Sequence, residues 1–180
     1  MIELLIMKKI IFKLLKFLTK TFTGTRIGKI PGIVQVHNFI FESLKPKGII
    51  LINCQGNKMY VDAEDIGVVP FLLDKGIFEP FETELLNGLI MQNMTVVNIG
   101  ANIGYYTLIA ANKVGPNGKV YAFEPEPQNY KLLVKNIEEN GYKNVVAIQA
   151  AVSDKRGTRE LFLDRLNLGA HSLAEKNIRE

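Results

Sequence analysis

The chemistry this sequence can perform gathers around two glycines and one carboxylate. Gly100 and Gly104 lie in Val96-Val97-Asn98-Ile99-Gly100-Ala101-Asn102-Ile103-Gly104, where a short apolar run gives way at once to a helical pattern. A glycine lets a ligand approach the backbone because no Cβ intervenes, and a helix that starts there offers unpaired N–H groups to an anion. Glu124 follows in Phe123-Glu124-Pro125, at the end of the next apolar run. A carboxylate in that place can accept both hydroxyls of a ribose. The glycines alone would fit tight packing of a helix on a strand equally well; the acidic residue turns the pattern into a nucleoside-binding one.

Two ligand classes compete for such a turn. A dinucleotide fingerprint needs G-x-G-x-x-G so that a pyrophosphate can sit over the backbone. Here Ala101, Asn102 and Ile103 separate the glycines and Tyr105 follows them, so the second and third glycines are missing. The turn suits a smaller anion, such as an amino-acid carboxylate. That favours S-adenosylmethionine over NAD.

The elements that must hold these residues are legible around them. Thr95–Ile99 reads as a strand, and residues 103–114 as a helix that stops at Gly115-Pro116-Asn117-Gly118. Lys119–Phe123 is a second strand. Pro127 starts a helix through Asn140, with Tyr130, Leu133, Val134 and Ile137 on one face and Gly141 as its terminator. Residues 144–150 form a third strand. This order is a βαβαβ unit, hence a parallel sheet with right-handed crossovers. Upstream, GIILINCQGNKMYVD carries a turn signal at Gln55-Gly56-Asn57 and predicts a β-hairpin. A helix opens at Pro80, with Phe81, Leu85, Leu86, Leu89 and Ile90 at helical spacing. The expected division is an amphipathic basic helix over 1–22, a connector and hairpin over 23–80, and the cofactor-binding domain over 81–180.

Charge is distributed unevenly. Five of the 22 basic residues and one of the 18 acidic ones lie in residues 1–22, so the formal net charge of +4 belongs to that segment and the remainder is neutral. A neutral body argues against a nucleic-acid partner. Within 1–22, Lys9, Lys13, Lys16 and Lys20 share one helical stripe opposite Leu4, Met7, Ile10, Ile11, Leu14, Leu15, Phe17 and Leu18. The lysines interrupt every long apolar run, which disfavours a membrane span, and a secretory cleavage signal is missing. Two placements stay open: packing on protein, or lying on an anionic membrane surface. The expected location is cytoplasmic, with peripheral membrane association as the second case. Cys54, the single cysteine, reads as a buried small residue, and nothing has the spacing of metal ligands. His37 and His171 read as surface or loop residues.

The wording of the chain resembles the FkbM-type methyltransferases, a class I family with a Rossmann-like fold. The runs that carry the resemblance are VVNIGANIGYYTLIAA, GKVYAFEPEPQNYKLLVKNIEENGYKNV, AVSD and LNLGAHSL, with Met59–Asp62 and Phe78-Glu79-Pro80 ahead of them. It implies S-adenosylmethionine as cofactor and O-methylation of a small-molecule or glycan hydroxyl. It further implies that Gly100, Ala101, Asn102 and Gly104 surround the methionine part, that Glu124 holds the ribose, and that Ser153 and Asp154 lie near the adenine. Ser153 and Asp154 also suit an ordinary turn. Asn98 stands where the family usually has an aspartate, which removes a negative charge near the cationic sulfonium and ammonium groups. The resemblance also implies a fourth strand beyond the GAHSL stretch, and the chain ends at Glu180 without one. Two expectations follow. The first strand should need cover from Thr158–Leu163, the hairpin, a second copy or another partner. A truncated, catalytically inactive cofactor-binding remnant, or a partner-dependent module, is the alternative to an active enzyme. No catalytic base is assigned; Glu82 is a candidate for lining the site, in a position that also favours a helix N-terminus.

Overall fold

The computed structural model describes residues 47–163. The 1–22 segment, His37, His171 and the LNLGAHSL stretch lie outside the described residues. The hairpin is formed by β1 (Ile49–Cys54) and β2 (Asn57–Asp62), antiparallel, with Cys54 opposite Asn57 across the turn. Gln55 and Gly56 both take positive φ there, as a tight hairpin turn requires.

Next comes a helix the periodicity does not announce, α1 (Val69–Lys75). Its start is held by Asp65, whose Oδ2 accepts from the N–H groups of Val68 and Val69 at 2.8 and 2.9 Å. Its end is closed by Gly76 in the left-handed region, donating to the Leu72 carbonyl. The signals were local ones, Pro70 inside the start and Gly76 past the end, in a run too short for a helical period. Helix α2 (Pro80–Leu89) follows.

The remainder is the expected βαβαβ unit: β3 (Thr95–Ile99), α3 (Tyr105–Val114), β4 (Lys119–Phe123), α4 (Pro127–Glu139) and β5 (Val145–Ile148). The three strands pair in parallel in the order β3-β4-β5. Val120 and Ala122 of the central β4 are fully buried, as are Leu108 and Leu133 from the two helices. The third strand is shorter than the apolar run suggests, because pairing with β4 stops opposite Phe123.

Two apolar features are left open. Among the described residues β3 has one strand partner, and its Val97 and Ile99 are 57% and 62% exposed. Among the described residues neither internal candidate is a strand of that sheet: the hairpin is a separate sheet, and Thr158–Leu163 is irregular apart from a single bridge residue, Phe162. On α2, Phe81, Leu85 and Leu89 are exposed while Thr83 and the following Ile90 are buried. Spacing identified an apolar stripe there, but the neighbouring helix packs on a different side. No helix among the described residues is long and apolar enough to cross a membrane.

The hairpin joins the sheet domain through α4. Tyr60 and Lys58 sit two apart on β2, and Asn136 of α4 and its C-cap residue Asn140 sit four apart; both spacings are roughly 6–7 Å. Each asparagine amide therefore faces one residue of the strand edge. Asn136 accepts from the Tyr60 N–H at 2.6 Å and donates to the Tyr60 carbonyl at 3.0 Å. Asn140 does the same with Lys58, at 2.9 and 2.7 Å.

Cys54 closes this core as expected, 5% exposed, with its thiol directed at the Gly76 carbonyl. Burial pushes that thiol up to about 11 by disfavouring the thiolate. At pH 8 the thiolate fraction is then about 100-fold lower than for an ordinary cysteine. Alkylation of the folded chain with iodoacetamide at pH 8 should be slower than in urea by at least that factor, and should accelerate as pH rises. Equal rates in the two conditions would show a reactive, accessible thiol instead.

Candidate functional site

The carboxyl ends of β3 and β4 are stitched together by the glycine turn. Gly100 N–H and Ala101 N–H both donate to the carbonyl of Phe123, the last residue of β4, at 3.0 and 2.9 Å. The Asn102 N–H donates to Glu124 Oε2 at 2.7 Å. Asn102 itself takes a left-handed conformation, and its Oδ1 accepts from the next N–H, of Ile103. Asparagine is among the residues that tolerate such backbone best.

The two glycines turn out to serve different purposes. At Gly100 (φ +75°) a Cβ would meet nothing within 4 Å, so the space over the turn is open to a ligand. At Gly104 (φ +102°) a Cβ would lie 2.9 Å from Leu133 Cδ1, so this glycine lets α4 pack closely. Gly104 also begins α3, and no side chain caps the N-terminus of that helix. Its first N–H groups therefore remain suited to an anionic group.

Glu124 is 5% exposed and is held by two backbone donors, Asn102 N–H on Oε2 and Glu126 N–H on Oε1 at 2.9 Å. A carboxylate offers about four lone-pair positions, more than these two backbone donors use. Glu126, also buried, caps α4 by accepting from the Asn129 N–H. The sequence singled out Glu124; Glu126 was legible as an acidic residue just ahead of Pro127 and was not singled out.

The other expected site residues are placed as follows. Asn98 is the penultimate residue of β3, and its Nδ2 donates to Thr107 Oγ1 at 2.9 Å, tying the strand to α3. Ala101 is buried within the turn. Ser153 and Asp154 are exposed, and the serine hydroxyl donates to the aspartate at 3.1 Å. Ser153 lines a concavity of about 550 Å³ together with Pro125, Gln149, Lys155, Arg156 and Arg159. Pro125, the residue after Glu124, is part of its lining, while the buried Glu124 carboxylate is not. Glu82 lies exposed in the first turn of α2.

A second constellation had no motif to announce it. The Tyr106 hydroxyl, in the first turn of α3, donates to Glu79 Oε2 at 2.6 Å. Burial first, and then the bond to Glu79, push that phenol well above its usual range, so it stays a neutral donor. Beside it the Tyr105 hydroxyl meets Thr83 Oγ1 at 3.0 Å. The one sequence hint was Glu79-Pro80, since a residue before proline is pushed out of the right-handed helical region.

An open turn, an uncapped helix start and a fixed carboxylate on the adjacent parallel strand can hold a nucleoside joined to an amino acid. Comparison with known proteins agrees. The model of the TRM5/TYW2 methyltransferase domain family matches residues 78–180. The protein-L-isoaspartate O-methyltransferase of Methanococcoides burtonii is 34% identical over 82 residues, which is 44% of this chain and 40% of that relative. The chain thus spans about two fifths of that relative's length. Among solved structures, M. jannaschii TYW2 in complex with AdoMet is similar at 25% identity and a TM-score of 0.44, over 58% of this chain and 44% of the other. The M. jannaschii tRNA m1G37 methyltransferase is similar at 19% identity and a TM-score of 0.44, over 58% and 30%.

The exclusion of nucleic acid does not survive the match of residues 78–180 to the TRM5/TYW2 methyltransferase domain family. The physical fault lies in averaging. A neutral total for the body of the chain hid a local cluster: Lys155, Arg156 and Arg159 lie within five residues on one wall of one concavity. Electrostatic attraction to a polyanion depends on the local field and not on the sum.

Proposed function

Because the chain belongs to the TRM5/TYW2 methyltransferase domain family, we propose that it methylates a structured RNA, a tRNA being the leading candidate. It is a class I methyltransferase domain, and its cofactor is S-adenosylmethionine. The family model that matches is that of TRM5/TYW2 and not the FkbM family that the motifs resemble, so the resemblance does not single out the acceptor. In this proposal Gly100, Ala101, Asn102 and Gly104 surround the methionine end, Glu124 receives the ribose hydroxyls, and Ser153 and Asp154 lie toward the adenine. The division into an N-terminal segment over 1–22, a connector with hairpin over 23–80 and a cofactor domain from residue 81 belongs to the same proposal.

When bound, the cofactor supplies an electrophilic methyl group on a sulfonium, open to in-line displacement. The chain's contribution to such a reaction is mainly alignment and exclusion of water. The rigid links between turn and strand, Asn102 N–H to Glu124 and the paired donors to Phe123, fix the geometry against which an acceptor must align.

The observation that carries an RNA acceptor is the basic wall of the concavity that Pro125 and Ser153 also line. S-adenosylmethionine has no phosphate, and its charges are all at the methionine end. Lys155, Arg156 and Arg159 therefore have no task toward the cofactor, while phosphates of a polynucleotide would match them. The test is binding of an in vitro transcribed tRNA at several salt concentrations, with the full chain and with Lys155→Ala/Arg156→Ala/Arg159→Ala. The variant should bind about 10- to 100-fold more weakly and lose about two units of salt slope. Unchanged affinity and slope would leave the wall without a role in RNA binding.

A second reading keeps O-methylation of a small-molecule or glycan hydroxyl. It is supported by the FkbM-like motifs of the sequence. Radiolabelled methyl transfer into a metabolite extract, and not into tRNA, would favour it.

A further inference from the structure

Four non-glycine residues among those described take positive φ, and Glu79 alone of them is charged. It is also the N-cap of α2, where an acidic side chain ordinarily accepts from the first-turn N–H groups of its own helix. Glu79 does not. Its carboxylate turns away from α2 and reaches Tyr106, in the first turn of α3. No lysine or arginine among the described residues is in ion-pair range of it. A strained backbone that directs a carboxylate away from its own helix, with no cation to meet, needs another explanation.

The cofactor's chemistry supplies one. Its methionine end is a zwitterion: the carboxylate suits the uncapped start of α3, and the ammonium needs an anion close by. Asn98 is neutral and already bonded to Thr107. Glu124 is held by Asn102 and Glu126 at the ribose side. Tyr106 stands two residues beyond Gly104, so it brings the Glu79 carboxylate to the end of α3 that begins at the glycine turn. We infer that Glu79, steered by Tyr106, receives the cationic amino group of the cofactor's methionine. This rests on the cofactor placement proposed above.

The test is calorimetric titration of the full chain with three ligands: S-adenosylmethionine, S-adenosylhomocysteine and 5′-methylthioadenosine. The last keeps the nucleoside and has no amino acid. Glu79→Gly keeps the left-handed backbone while removing the carboxylate, and Glu79→Gln removes only the charge. Both should weaken the two amino-acid ligands about 10- to 100-fold and leave 5′-methylthioadenosine unchanged. Tyr106→Phe should give a smaller loss with the same ligand pattern, as befits a positioning residue. Equal loss for all three ligands would mean a structural role, and unchanged affinity for S-adenosylmethionine would remove Glu79 from the site. Wild-type chain that binds 5′-methylthioadenosine but neither amino-acid ligand also overturns the inference, leaving the nucleoside site intact. If wild type binds none of the three, the cofactor placement itself fails and takes the inference with it.

Discussion

Glu124→Ala should lower the affinity for S-adenosylmethionine by about 100-fold or more, the largest effect on binding of any single substitution at the site. The carboxylate has two tasks that the substitution removes together. It anchors the glycine turn through the Asn102 N–H, and it braces the start of α4 through the Glu126 N–H. The same carboxylate is the group proposed to receive the ribose diol. Truncation also leaves two N–H donors without this acceptor, at about 1–3 kcal/mol each where they are shielded from water. A lower thermal midpoint of the cofactor-free chain should therefore accompany the binding loss. Glu124→Gln separates charge from shape. Each carboxylate oxygen now accepts from a backbone N–H, so an amide must turn its NH₂ toward one of those donors. The glutamine variant should accordingly lose most of the affinity despite its matching size. Calorimetric titration beside thermal denaturation reads both effects. A folded Glu124→Ala chain that binds within threefold of wild type would reduce Glu124 to a turn anchor and remove it from the cofactor site.

That double bracing also explains how much of the site was legible beforehand. Gly100, Gly104 and Glu124 announce themselves because backbone conformation and strand position permit few alternatives. A residue with φ of +75° or +102° at a strand end is nearly always glycine, and a lone acid at the end of the next parallel strand stands out from an apolar run. The sequence could not tell that Gly100 clears space for a ligand while Gly104 clears space for Leu133, since both present the same letter and only the packing differs. The Glu79–Tyr106 bond spans 27 residues and obeys no local period, so no pattern encodes it. Helix α1 escaped for a related reason: seven residues cannot display helical periodicity, and its capping by Asp65 comes from the loop before it. The exposed stripe of Phe81, Leu85 and Leu89 marks the opposite limit, where period is plain and the covering partner is not. Charge was misjudged because a sum over the chain carries no positions.

Asn136→Ala should be the most destabilising polar substitution, costing about 3 to 5 kcal/mol. Asn136 is fully buried, and its amide makes three bonds to backbone. The Oδ1 accepts from Tyr60 N–H at 2.6 Å, while Nδ2 donates to the carbonyls of Tyr60 and Ile103 at 3.0 and 2.8 Å. One side chain thus substitutes for a neighbouring strand at the edge of β2 and also holds the loop that leads into α3. Alanine leaves one buried and two partly buried main-chain groups without these partners, and it opens a gap at a position that is fully buried. Asn140 offers the internal control. It makes the equivalent pair of bonds to Lys58 at a more exposed position, where water can replace the amide, so Asn140→Ala should cost only about 1 kcal/mol. The contrast tests burial, since the bonding pattern is the same. Asn136→Asp tests the donors: it keeps the acceptor for Tyr60 N–H but points a second oxygen at two carbonyls. Burial and those carbonyls must raise the folded pKa of the introduced carboxyl above its unfolded value. The stability it retains is then fully present below the unfolded carboxylate pKa and is lost as pH rises through the folded one. Urea denaturation of the Asp variant should therefore approach wild type at acidic pH and fall toward the Ala variant at neutral pH. A flat pH dependence, or an Ala variant within 1 kcal/mol of wild type, would show that the hairpin is held by its apolar contacts alone and that the asparagine pair only follows them.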